Sequence, residues 1–277
     1  MNGTGFETER VLVLAKTYPE FSQKYGSLVC VAGLSLSHGE EWRRLYPVPW
    51  ALFFGKNPLR FSKWDVIEVR TVPANHDSRP ESRRILEPEQ IRIVDRIEIE
   101  RGDPWWSRRM EVVRRHLDDG SLVHDKIPRS LGIIRPLDCE PLIQPRDRIH
   151  DPDELGFMSY IQLLLPDMVS ELEQLSRSLR PDPTLPWIGY RYRCDYKGCK
   201  WHEQMCIDWE IQELYRKIRQ QSGEREAEAK TRQKLEELAR KDLHFVVGTT
   251  WRYKTWLIIG LIYPASKGSG EPPRPER

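Results

Sequence analysis

The sequence has no apolar run long enough to cross a membrane. Its most apolar stretch, TWLIIGLIY at 255–263, is less than half of the roughly 20 residues that a membrane-spanning helix needs. The first residues, MNGTGFETER, lack the basic start and the apolar core of a secretory signal. We therefore expect a cytoplasmic protein that has no membrane partner.

An excess of charge of one sign is also missing. Lys and Arg number 44 and Asp and Glu number 42, which gives a formal net charge of +2. The overall charge therefore favours no class of partner. Hydrophobic residues make up 39% of the 277 residues, which is enough for a buried core and excludes a chain that is disordered throughout.

The common enzyme loops are absent as well. The sequence contains no G-x-G-x-x-G after a predicted strand, no phosphate-binding G-x-x-x-x-G-K-[ST], no H-E-x-x-H and no G-x-S-x-G. A metal-dependent nuclease or related hydrolase stays open as an alternative, because Asp208, Glu210 and Glu213 follow a cysteine cluster. Asp208 and Glu210 are two residues apart, however, and in a helix they would point to different faces.

The alternation of the N-terminal third predicts β-strands. Short β-branched and aromatic runs are separated there by Gly, Pro and Ser. The fold class that we expect is α+β, with a β-rich domain at 1–102 that forms a small barrel. The predicted strands cover 11–16, 27–36, 42–48, 64–72 and 91–100.

The rest of the chain predicts three further parts. A helix with an irregular connector is expected at 103–160, a helical metal-binding module with a terminal β-hairpin at 161–264, and a disordered tail at 265–277. Within the module we predict an amphipathic helix at 164–180 and another that begins near His202. The charged segment 224–242 could project from the body and bind a protein partner, which makes an adaptor subunit a further alternative.

The cysteines predict a metal site. The chain has five of them, and three lie between 194 and 206 in the pattern C-x4-C-x2-H-x3-C. In a reducing compartment such a cluster more often binds metal than forms disulfides. We predict that Cys194, Cys199, His202 and Cys206 bind a structural zinc ion, with an iron-sulfur cluster as the less fitting alternative. Cys206 is the least secure of the four ligands, because Asp208 or water could replace it.

Arginines and lysines alternate with aromatic residues in several segments. Guanidinium groups pair with phosphates and aromatic rings stack on unpaired bases, so the pattern favours DNA or RNA as a partner. The competing interpretation is that the aromatic residues fill cores and the arginines form surface ion pairs. The predicted contacts are Arg43, Arg44, Arg83, Arg84, Arg108, Arg109, Tyr192, Arg193, Lys197, Lys200 and Trp201.

Overall fold

The chain has a mixed α+β fold, as the sequence predicts. The computed structural model describes residues 5–22, 26–53, 59–74, 77–124, 128–145, 184–250 and 255–266. The helix predicted at 164–180 and nearly all of the predicted tail lie outside these residues. Among the described residues, no helix is long and apolar enough to span a bilayer.

A closed five-stranded barrel forms the N-terminal region. Its strands run in the order β1, β3, β4, β6, β5, and β5 pairs back onto β1. All of these pairings are antiparallel except that between β4 and β6. The barrel predicted for this region is thus confirmed. The strands before the first helix are β1 (Glu7–Lys16), β2 (Glu20–Ser22), β3 (Gly26–Ser35), β4 (Glu41–Pro49), β5 (Asp65–Pro73), β6 (Ser82–Leu86) and β7 (Arg92–Arg96).

Strand β1 is buried on both of its faces. Val11 and Val13 belong to the cluster inside the barrel. Leu12 and Leu14 point the other way and pack in a second cluster that includes Ile259 from the C-terminal part. This burial on both sides explains why the sequence VLVLA is continuously apolar instead of alternating.

The C-terminal part contains two further sheets. One is three-stranded in the order β10, β11, β12, and the other is four-stranded in the order β14, β13, β9, β8. Part of the segment predicted to be an irregular connector therefore supplies strands to both sheets. The elements are α1 (Ser107–Arg115), β8 (Leu117–Asp118), α2 (Ser121–His124), β9 (Leu131–Ile134), β10 (Asp138–Gln144), β11 (Trp187–Arg193), β12 (His202–Met205), α3 (Trp209–Ser222), α4 (Glu224–Ala239), β13 (His244–Thr249) and β14 (Trp256–Ile262).

The helix predicted to begin near His202 is a strand at that point. Residues His202–Met205 form β12, which pairs antiparallel with β11, and Tyr192 lies opposite His202. Helix α3 begins only at Trp209, where the Asp208 side chain accepts a hydrogen bond from the backbone N of Glu210. An aspartate in this capping position satisfies one of the free N–H groups at a helix start.

Helix α4 covers most of the charged segment 224–242, and it packs on the body of the protein. Ala227, Leu235 and Leu238 are fully buried in the C-terminal core. The polar face carries ion pairs along the helix, such as Lys230 with Glu226 and Arg232 with Glu228. The segment therefore does not project from the body.

Candidate metal centre

Four side chains converge beside the start of β12. His124, Cys194, Cys199 and His202 each offer one ligand atom, and these atoms all lie within 4.8 Å of one another. Cys194 Sγ lies 3.4 Å from Cys199 Sγ and 3.4 Å from His124 Nε2. His202 Nε2 lies 3.5 Å from Cys194 Sγ and 3.2 Å from Cys199 Sγ. Bond lengths of about 2.0 to 2.3 Å to a tetrahedral zinc ion give ligand separations of roughly 3.3 to 3.8 Å, so the group can hold a metal ion.

Two tyrosines position the imidazole rings. The ring of Tyr196 stacks on His124 at a centroid distance of 4.3 Å, and that of Tyr192 stacks on His202 at 4.9 Å. The hydroxyl of Tyr192 donates a hydrogen bond to Gln204 Oε1. Fixed imidazole rings lower the entropic cost of bringing four ligands together.

The backbone around the cysteines is shaped by two glycines. Gly198 has a φ of 82° in the turn between Cys194 and Cys199, a conformation that residues with a side chain rarely adopt. The amide of Gly120 donates to Asp195 Oδ1, and a Cβ at position 120 would lie 2.6 Å from Cys194 Sγ. Helix α2 therefore approaches the turn closely because position 120 has no side chain.

Burial shifts the pKa values of Cys194 and His202. It raises the pKa of the Cys194 thiol to about 11, with a further contribution from Cys199. Burial also lowers the pKa of His202, and the neighbouring charge of His124 acts in the same direction. A neutral imidazole keeps the lone pair that a metal requires, and a buried thiol loses its proton most readily beside a cation.

The structure places Cys206 outside this cluster. Cys206 is fully buried in the C-terminal core, and its amide donates to the carbonyl of Ile188. The predicted ligand set assumed helical geometry, in which residues four apart lie about 6 Å from each other. Along an extended strand the same four residues span about 13 Å, so His202 and Cys206 do not meet.

His124 takes the fourth position, and sequence reasoning missed it. It ends helix α2 and precedes Cys194 by 70 residues. Local spacing holds no information about a ligand so distant in the chain. The available signal was the string DDGSLVH, a glycine turn followed by a histidine at a helix end.

Two family models match consecutive parts of the chain. Residues 7–115 match the model of a domain of unknown function, DUF8758. Residues 121–276 match another domain of unknown function, DUF8757, over more than half of the chain. The chain belongs to the DUF8757 family. No curated protein matches the sequence. All four residues of the cluster lie within the DUF8757 region.

Of the four barrel arginines predicted to contact nucleic acid, two are buried and two are partly exposed. Arg43 and Arg44 are only 3% and 5% exposed. Arg43 pairs with Glu9, and Arg44 donates to the carbonyl of Ser130 in the DUF8757 region. Arg83 is half-buried and donates to the carbonyls of Pro80 and Ser82, and Arg84 is half-buried on β6. Arg43 and Arg44 hold the fold together and cannot reach a nucleic acid.

The other predicted contacts divide between buried and exposed. Arg109 donates to the carbonyl of Ile97 and lies over the rings of Trp64 and Trp106. Tyr192 has no exposed surface, and its ring stacks on that of His202. The predicted residues that are exposed are Arg108, Arg193, Lys197, Lys200 and Trp201.

The carboxylates of Asp208 and Glu210 both form ion pairs with the same lysine, Lys63. Lys63 Nζ lies 3.1 Å from Asp208 Oδ2 and 2.7 Å from Glu210 Oε2. The amide of Leu261 also donates to Asp208 Oδ2. These contacts join the barrel to the DUF8757 region, and they give Asp208 a structural role in place of the metal-binding role considered for a nuclease.

Glu7, Glu9 and His38 form a second group of possible ligands among the described residues. His38 Nε2 lies 2.6 Å from Glu7 Oε1. The carboxylate of Glu9, however, already accepts hydrogen bonds from Ser35, Thr71 and Arg43. Both oxygens of Glu9 thus already accept hydrogen bonds from side chains of the barrel strands.

Proposed function

We propose that His124, Cys194, Cys199 and His202 bind one zinc ion, and that the surface around this ion binds nucleic acid. Two sulfurs and two imidazole nitrogens are a ligand set typical of structural zinc. Four protein ligands fill a tetrahedron and leave no position for a reacting water. The metal therefore stabilises the turn at 194–202 and does not take part in a reaction.

Metal analysis of purified protein tests the zinc site. We expect one zinc ion per chain, lost or bound far more weakly in His124→Ala, because three remaining ligands hold the ion less well. Cys206→Ser is the matched control and keeps its zinc, since Cys206 is not a ligand. The measurement is zinc content by elemental analysis after dialysis against a mild chelator.

Two outcomes contradict the site. Loss of zinc in Cys206→Ser together with its retention in His124→Ala would show that Cys206, and not His124, is the fourth ligand, as the local spacing predicts. A brown protein that absorbs visible light would show that the site binds an iron-sulfur cluster and not zinc. Thermal unfolding of both variants shows whether a loss of metal reflects the ligand or general unfolding.

The nucleic-acid proposal rests on one observation. Trp201, which precedes a zinc ligand, is 38% exposed, and the guanidinium groups of Arg191 and Arg193 lie 4.6 Å and 5.8 Å from its ring centroid. Lys197 and Lys200 are exposed on the same turn. The cations can pair with the phosphates of a nucleic acid, and the exposed aromatic ring can stack on its bases.

Binding of labelled DNA and RNA at a series of salt concentrations tests this proposal. We expect measurable affinity at low salt that falls as salt rises, because each phosphate contact releases counterions. Replacing Lys197 and Lys200 by alanine should weaken binding several-fold. The matched control replaces Lys230 and Lys234, which form ion pairs with Glu226 and Glu237 within α4, and it should leave binding unchanged.

Absence of affinity for every DNA and RNA at low salt would reject the nucleic-acid proposal. The same samples are run on denaturing gels after incubation with magnesium or manganese. Intact substrate is expected of a binding protein, whereas cleavage would favour the nuclease alternative.

A further inference from the structure

The three-stranded sheet of β10, β11 and β12 has one buried face and one open face. On β11, Ile188, Tyr190 and Tyr192 point into the core and have no exposed surface. The intervening residues Trp187, Gly189, Arg191 and Arg193 point to the other side, since successive side chains alternate along a strand. The open face therefore carries aromatic rings and guanidinium groups together.

Gly189 in the middle of this face is buried. A Cβ at position 189 would lie 2.1 Å from the backbone oxygen of Gln204 on β12 and 2.9 Å from Cζ3 of Trp187, so the neighbouring strand and the Trp187 ring cover the glycine. Trp201 lies further along the face, beside Arg191 and Arg193.

Acidic residues offset much of the positive charge on this face. Arg191 lies 3.8 Å from Glu140 and 3.9 Å from Glu203. Arg193 Nε donates to Asp138 Oδ2 at 2.7 Å. The attraction of this face for a phosphate backbone alone is therefore modest, and contact with base rings has to supply much of the affinity.

We infer that this face binds single-stranded nucleic acid and that a base stacks on Trp201. The inference rests on the proposed nucleic-acid function and specifies its substrate class. In a duplex the bases stack on each other and only phosphates and groove edges are accessible, whereas a single strand presents base faces. A nearly neutral face with exposed indole and guanidinium planes thus discriminates against duplexes.

The test compares a labelled single strand with its own duplex, as DNA and as RNA. For the wild type we expect the single strand to bind at least tenfold more tightly at low salt, with quenching of tryptophan fluorescence. Trp201→Ala should weaken single-strand binding roughly tenfold. Trp201→Phe keeps an aromatic plane and should restore most of the affinity.

Trp105→Ala is the matched control, because Trp105 is 43% exposed and precedes α1, outside the sheet of β10, β11 and β12. Equal effects of Trp201→Ala and Trp105→Ala, or equal affinity for single strand and duplex, would overturn the inference while leaving nucleic-acid binding intact. Failure of every probe to bind would reject the proposed function itself. Zinc content identifies a Trp201 variant that has lost its fold, and Arg191→Ala then serves as the second variant, with the same expected loss of single-strand affinity.

Discussion

At the scale of single residues, Glu9 shows how the barrel holds a buried charge. Its carboxylate has no exposed surface and accepts hydrogen bonds of 2.6 to 2.7 Å from Arg43, Ser35 and Thr71. Burial alone would raise the pKa of Glu9, but the hydrogen bonds from Thr71, Ser35 and Arg43 outweigh it and lower the pKa below the usual 4.5. The ionised form is therefore the one that the fold favours.

Glu9→Gln should destabilise the protein near neutral pH by about 3 kcal/mol, because it leaves the buried Arg43 without its main counter-charge. A carboxylate whose pKa is lowered by folding stabilises the native state above its unfolded pKa, and this contribution is lost as the pH falls through the folded value. Wild-type stability should thus decline below about pH 4.5, and the decline should be smaller in Glu9→Gln. Urea unfolding at several pH values measures both effects.

Glu41→Gln is the control for this variant, because Glu41 also contacts Arg43 but is exposed at the surface. It should change stability by less than about 1 kcal/mol. Equal losses in the two variants, or an unchanged acid decline in Glu9→Gln, would refute the assigned role of the buried carboxylate.

At the scale of elements, sequence patterns identified strands better than their partners. The alternation in WDVIEVRTV predicts one wet and one dry face for β5, and the strand follows it from Ile67 onward, where Ile67, Val69 and Thr71 are buried and Glu68 and Arg70 are partly exposed. At the start of the strand both faces are buried, because Asp65 and Val66 are buried as well. The closure of the barrel depends on the pairing of β1 with β5 and of β4 with β6. These contacts join distant parts of the sequence, and no local pattern specifies them.

The segment WHEQMC illustrates the same limit at the metal centre. Its ligand spacing is compatible with a helix, in which His202 and Cys206 would share one face. Pairing of β12 with β11 makes it a strand instead, so His202 faces Tyr192 while Cys206 enters the core. A local sequence pattern identifies Cys194, Cys199 and His202. It does not identify His124, which lies far from them in the sequence.

At the scale of the whole molecule, the barrel and the DUF8757 region share one core. Leu12 and Leu14 of the barrel pack in the same cluster as Val246 and Ile259. Polar contacts reinforce this junction, where Lys63 pairs with Asp208 and Arg44 donates to Ser130. The two family regions therefore meet along a shared apolar cluster that ion pairs and hydrogen bonds flank.

A chain cut after Asp119 should yield two fragments that do not fold separately, because each exposes the apolar face that the other covers. We expect the barrel fragment alone to bind a hydrophobic dye and to unfold without a sharp transition. Expression of both fragments together should restore cooperative unfolding.

A chain that ends at Ser266 is the control for the cut, since it retains every described residue. It should unfold at the temperature of the full-length protein. A barrel fragment that unfolds cooperatively and excludes the dye would show that the two regions are independent domains.

The separation of His124 from Cys194 would give the proposed metal ion a further consequence for stability. An ion bound to both would close a loop of 70 residues, much as a covalent cross-link does, and by the chain-entropy estimate such a closure restricts the unfolded chain by about 4 kcal/mol. Doubling the length of such a loop adds only about 0.6 kcal/mol to the closure cost. A change in the number of residues between the two ligands would therefore alter this contribution only slightly.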